Sequence, residues 1–154
     1  MKKSKILRFS LIFLVLATLI FIFVQSMLPP AQSAEESNKV GEIVGEIIPP
    51  ETPVGNYVQI NIRKIAHFVE FAILGAEVAF YVMIFERKLT RGLVVYPAAM
   101  ILAFFDESIQ MFSGRGPAIL DVWIDFSGFC ASSLLIFGCS SLILFIMNRA
   151  KLKQ

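Results

Sequence analysis

The chain has 154 residues, 56% of them hydrophobic and 17% charged, with a formal net charge of +2 and a mean hydropathy of +0.73. A water-soluble domain carries about 25% charged and about 45–50% apolar residues. The composition therefore excludes an ordinary soluble globule, a disordered chain and a small secreted disulfide scaffold, and points to a protein whose solvent is lipid.

Four stretches reach the roughly 20 residues that cross a bilayer. The first runs from Ile6 to Met27. Its apolar run exceeds the roughly 7–15 residues of a signal-peptide core, so it reads as a retained span, although Ala31-Gln32-Ser33-Ala34 offers small residues of the kind cut after a leader. The second spans about residues 65–85 and contains His67, Glu70 and Glu77. The third, about 92–112, contains Asp106 and Glu107, and the fourth, about 122–147, has Asp125 near its start. Between the first two, residues 29–62 form a long loop. Within it Val40, Ile43, Val44, Ile47 and Ile48 share one helical face until Pro49-Pro50 ends the pattern. That spacing predicts a short amphipathic helix, serving either as a lid over a site or as an anchored linker. Gly41 and Gly45 lie outside the apolar spans and are not read as a transmembrane packing motif.

Basic residues set the orientation. Lys2, Lys3, Lys5, Arg8, Arg87, Lys88, Arg91, Arg149, Lys151 and Lys153 fall in segments that four spans place together. The expected fold is therefore an all-α, four-helix transmembrane bundle with both termini cytoplasmic, the amphipathic helix in the first extracytoplasmic loop, and residues 148–154 as a cytoplasmic tail. Cys130 and Cys139 fall nine residues apart in the last span. On one helix they lie about 13 Å apart along the axis and on opposite faces, which rules out an internal disulfide.

Charged groups inside a bilayer cost about 2.5–3.5 kcal/mol each on insertion scales, and they usually face a protein interior or water. On the second span Arg63, His67, Glu70, Leu74 and Glu77 follow a 4-3-4-3 spacing and draw one stripe. On the third, Asp106 and Gln110 are i, i+4 with Glu107 beside them; on the fourth, Asp121 and Asp125 are i, i+4. With alternating helix directions these groups share one depth near the outer face, apart from Glu77, which lies deeper near mid-span, and Arg115 falls in the short connection Ser113–Pro117. The pattern predicts a single polar pocket.

Several chemistries fit such a set. His67 with Glu70 makes an imidazole–carboxylate pair for acid–base work. Asp106, Glu107, Asp121 and Asp125 offer oxygen ligands to a hard divalent cation. Arg63, Lys64 and Arg115 suit a phosphate, arginine for its fork geometry. One reading is an enzyme acting on a lipid phosphate with His67, Glu70, Asp106 and Glu107 as catalytic groups. Another is a receptor in which Arg63, Lys64, Gln110, Arg115, Asp121 and Asp125 bind a lipid or drug. A third is a scaffold of buried ion pairs. With one histidine, multi-histidine zinc sites are excluded. No phosphate-cradling glycine loop, no Gly-x-Ser-x-Gly elbow and no basic–aromatic nucleic-acid surface is present.

The run Arg63-Lys64-Ile65-Ala66-His67-Phe68-Val69-Glu70-Phe71, then Asp106-Glu107-Ser108-Ile109-Gln110, Gly114-Arg115, and Asp121 with Asp125-Phe126-Ser127-Gly128 resembles the VanZ-like family of small bacterial membrane proteins. The likeness covers about residues 60–135, within a domain of residues 63–147, and leaves the first span (residues 1–28) and the following loop as a more variable lead-in. It implies a multi-pass protein of the cell envelope. The family's namesake is linked to resistance to teicoplanin, a lipoglycopeptide. The partners implied are membrane lipid, lipid-linked cell-wall material or a lipophilic antibiotic. Ser132 stands where family members often carry a second glycine four residues after Gly128, and a small residue there keeps close helix packing.

Overall fold

The computed structural model describes residues 2–85, 93–116 and 118–151. Arg87, Lys88, Arg91, the expected start of the third span at Gly92, Pro117 and Lys153 lie outside the described residues. The described chain is helical without strands: α1 (Lys2–Met27), α2 (Pro30–Ile47), α3 (Pro53–Phe85), α4 (Val95–Phe112) and α5 (Ile119–Lys151).

Proline explains two departures from expectation. Helix α2 starts at Pro30, well before the apolar stripe, and α3 starts at Pro53 rather than near Ile65. A proline at the first helical position has no N–H to leave unsatisfied and a φ already suited to the helix. Thr52 completes the second start by accepting the Gly55 N–H on its hydroxyl at 3.0 Å. The expected loop is thus a helical hairpin. Along it Gln59 Nε2 donates to the Gly41 carbonyl at 2.6 Å, and a Cβ built on Gly45 would stand 3.4 Å from the same amide. The two glycines therefore form the packing face of α2. Of the apolar stripe, Ile43 and Ile47 turn away and are exposed.

Among the described residues, three helical segments are long and apolar enough to cross a membrane: Lys5–Met27, Pro53–Phe85 and Ile119–Met147. Helix α4 is not among them. Its 18 residues include Asp106, Glu107 and Gln110, which offset its apolar positions.

The helices run antiparallel in sequence order. Arg8 Nε donates to Tyr81 Oη at 3.0 Å near one end of α1 and α3, and Thr18 donates to Glu77 Oε1 at 2.9 Å further along. At the opposite end Ser113 Oγ donates to the Ser26 carbonyl at 3.0 Å. Glycine governs the closest packing, between α3 and α5. A Cβ on Gly75 would collide with the Phe129 carbonyl, and one on Gly128 with the Phe68 carbonyl. Ser132 lies against Gly75, so a small residue is retained at that crossing.

Burial is inverted relative to a soluble protein. Ser26, His67, Asp106, Glu107, Gln110, Arg115 and Asp125 are buried, beside a small apolar core of Ile22, Phe71, Leu74, Ala99, Ala103, Val122 and Phe129. Phe9, Phe13, Ile60, Phe104, Phe105, Leu135 and many other large apolar side chains are exposed. A surface of that kind is at rest in acyl chains and costly in water. Cys130 and Cys139 are free thiols.

Candidate functional site

The turn after α4 places the first functional group. Gly114 has φ +81°, a conformation that glycine adopts without a Cβ clash. Gly114 N–H bonds the Met111 carbonyl at 3.3 Å and Arg115 N–H the Gln110 carbonyl at 3.0 Å, the double closure of a Schellman turn. It turns Arg115 back against the bundle, where the guanidinium is buried and Nη1 donates to the Gln25 carbonyl at 3.0 Å. Glu107 secures the far side of the same turn by accepting the Ala118 N–H at 2.6 Å. Asp121 sits in the first turn of α5, where the helix N-terminus favours a negative charge.

Beneath the turn, polar groups from four helices form one network. Asp106 is fully buried; Ser26 on α1 donates to its Oδ1 and Gln110 Nε2 to its Oδ2 at 2.9 Å. Gln110 Oε1 accepts from Arg63 Nη2 at 2.6 Å. His67 Nδ1 stands 3.3 Å from Asp125 Oδ1 and 3.6 Å from Asp106 Oδ2.

A cavity of about 200 Å³ opens beside this network, between α1, α2 and α3. Arg63, His67, Glu70 and Arg115 line it with Gln25, Ser26 and Glu36, and Phe21, Leu28, Val40 and Ile62 supply apolar wall. The Nε atoms of Arg63 and Arg115 are buried without a hydrogen-bond partner. Burial, reinforced by the neighbouring Arg63 charge, pushes the Arg115 guanidinium down from its usual value, against the pull of Asp106, Glu107 and Glu70. Two cations held together in a partly dry recess favour an anion between them.

The structure thus brings Arg63, His67, Glu70, Asp106, Gln110, Arg115 and Asp125 to one end of the bundle. Lys64 is exposed and outside the cavity wall, and Glu107 and Asp121 stand at the turn and the start of α5. Glu77 is bonded to Thr18, apart from the cluster. Ser26 and Gln25 were not singled out by sequence, because a hydroxyl or amide near a span end is an ordinary residue there. The i, i+4, i+8 spacing of Thr18, Ile22 and Ser26, all now facing inward, is the signal that could have found Ser26, and Gln25 lies off that register.

Replacing Ser26 by Ala removes a donor from a fully buried carboxylate. An expected loss of about 1–3 kcal/mol appears as a lower melting temperature of the purified protein in detergent, with the helical content unchanged.

A protein-family model described as VanZ/LLP1 matches residues 11–145. Searches of curated proteins and of solved structures return no match.

Proposed function

The chain belongs to the VanZ/LLP1 family, and from that premise we propose that it is a four-span envelope membrane protein that holds the phosphate of a lipid-linked molecule at the outer leaflet. The observation that carries this reading is the pair of guanidiniums, Arg63 and Arg115, lining one cavity together with the apolar side chains of Phe21, Leu28, Val40 and Ile62. Arginine forks grip phosphate oxygens in pairs, while Phe21, Leu28, Val40 and Ile62 suit the start of an acyl or prenyl chain. Glu70 and Glu36 on the same wall balance the arginines and suit hydroxyl donors, as on a sugar next to the phosphate.

Depth supports the same reading. In the proposed topology both termini and the Arg87–Arg91 segment are cytoplasmic, and Phe85 ends the span at the inner boundary. Arg63 lies 22 residues up α3, about 33 Å at 1.5 Å per residue. A hydrocarbon core is about 30 Å thick, so Arg63 reaches the level of outer-leaflet phosphates. Size favours a small ligand. Sites for drug-sized molecules enclose about 300–1,000 Å³, and this cavity of about 200 Å³ suits a headgroup rather than a whole lipoglycopeptide. The proposed link to lipoglycopeptide susceptibility therefore runs through the lipid-linked wall material that such antibiotics target.

The test uses the full chain in lipid nanodiscs, offered a polyprenyl phosphate or the matching polyprenol and analysed by native mass spectrometry. Retention of the phosphate and not the alcohol is expected. Equal retention of both would overturn the reading, as would a deletion strain with unchanged lipoglycopeptide susceptibility and unchanged lipid-linked precursors.

A further inference from the structure

Next to the arginine-lined cavity, and sharing His67 with it, lies a second constellation. His67 on α3, Asp106 on α4 and Asp125 on α5 are all buried, and one ligand atom from each falls within 4.8 Å of the others. Asp125 is completely enclosed, yet neither of its carboxylate oxygens has a hydrogen-bond partner, and neither does His67 Nδ1. An enclosed carboxylate whose one close polar neighbour is an imidazole nitrogen at 3.3 Å, with its second oxygen unpartnered, is costly by several kcal/mol unless something further compensates it.

We propose that His67, Asp106 and Asp125 bind one divalent transition-metal ion of the zinc or manganese type. Three features converge on it. Metal bonds to imidazole nitrogen and carboxylate oxygen measure about 2.0–2.2 Å, which puts neighbouring tetrahedral ligands about 3.3–3.6 Å apart. The separations of Nδ1 from Asp125 Oδ1 and from Asp106 Oδ2 are 3.3 and 3.6 Å. The charges of the three ligands close as well: two carboxylates and a neutral imidazole cancel a dication, while Glu70, Glu107 and Arg115 stand close enough to act on the same groups. The donor set is mixed, since imidazole suits zinc, iron and nickel while carboxylate suits manganese, and neither magnesium nor calcium favours nitrogen.

The surroundings orient the ligands as metal sites require. Asp106 is held by Ser26 and by Gln110, and Gln110 by Arg63. Glu107, with Oε1 on the Ala118 N–H, and Asp121 do not join the group among the described residues. The ion would pin α3, α4 and α5 together directly below the cavity. The inference stands without the phosphate reading, because Asp125 does not line that cavity.

The experiment takes the full chain in detergent, strips it with a chelator, and titrates Zn²⁺, Mn²⁺ and Mg²⁺ separately by calorimetry, with bound metal counted by elemental mass spectrometry. Expected are about one Zn²⁺ or Mn²⁺ per chain, Mg²⁺ at least ten-fold weaker, and a rise in melting temperature on metal addition. Co²⁺ should give the visible bands of a low-coordinate site, perturbed by loss of the imidazole in His67→Gln. Asp125→Asn should weaken Zn²⁺ by ten-fold or more, while Glu77→Gln, outside the site, leaves it unchanged. Absence of stoichiometric metal on the wild-type protein overturns the proposal whatever the variants do. So does equal Zn²⁺ affinity in Asp125→Asn, or Mg²⁺ binding as tight as Zn²⁺. Loss of polyprenyl phosphate binding with metal binding intact leaves this inference standing and removes the other.

Discussion

Arg115→Gln and Arg63→Gln are each expected to weaken polyprenyl phosphate binding by about ten- to hundred-fold, and the double variant to abolish it. A hydrogen bond to a charged group is worth about 1.5–3 kcal/mol, and about 1.4 kcal/mol is a factor of ten. Arg115 is the more telling of the two. It is buried to 7% exposure, Nη1 is tied to the Gln25 carbonyl, and Nε has no partner, so the fork is preset. Lysine at either position keeps the charge but loses the fork, and an intermediate affinity is expected. The measurement is a titration in nanodiscs, read beside the melting temperature of each variant, which separates lost binding from lost fold. Lys64→Gln, altering an exposed residue outside the cavity wall, should bind as the wild type does.

The largest effect on the fold is expected from Gly128→Leu. A side chain there meets the Phe68 carbonyl and the Ala72 amide nitrogen, and backbone does not yield as a flexible side-chain tip does. Overpacking costs about 1–3 kcal/mol and occasionally more. Here the displaced surface is the α3–α5 seam that holds His67 against Asp125, so little folded protein should survive extraction. Gly138→Leu is the matched control on the same helix, because a Cβ there has nothing within 4 Å. Melting in detergent and protease resistance compare the two. Equal stability would show that the seam tolerates separation.

Much of the bundle was legible because lipid imposes a simple rule on sequence. Apolar runs closing at Met27, Phe85 and Phe112 agree with the ends of α1, α3 and α4. The stripe through Arg63, His67 and Glu70 was legible for the same reason: in an apolar helix a charge is a rare event, and rare events at i, i+4 spacing carry information. The hairpin was less legible. Residues 30–39 lack apolar periodicity; their helix begins at Pro30 and carries on its surface an exposed Glu35–Lys39 pair at 2.7 Å, which contributes little by itself. Residues 53–62 were hidden by Pro53, which reads as a breaker until it is seen as a first residue. The separation of the polar set into an arginine-lined cavity and a His67–Asp106–Asp125 knot was beyond spacing alone, since it depends on which carboxylate α5 turns toward α3.

The burial of two adjacent carboxylates on α4 has a consequence for biogenesis. A lone helix bearing Asp106 and Glu107 partitions poorly from the translocon into lipid, where each charge at mid-helix costs about 2.5–3.5 kcal/mol. Its donors reside on other segments: Ser26 on α1, His67 on α3, and Ala118 just ahead of α5. If α4 crosses the bilayer as proposed, it enters escorted, held beside α1 and α3 until α5 emerges from the ribosome. A chain truncated after Phe112 would then leave α4 stranded and become prey to membrane quality-control proteases.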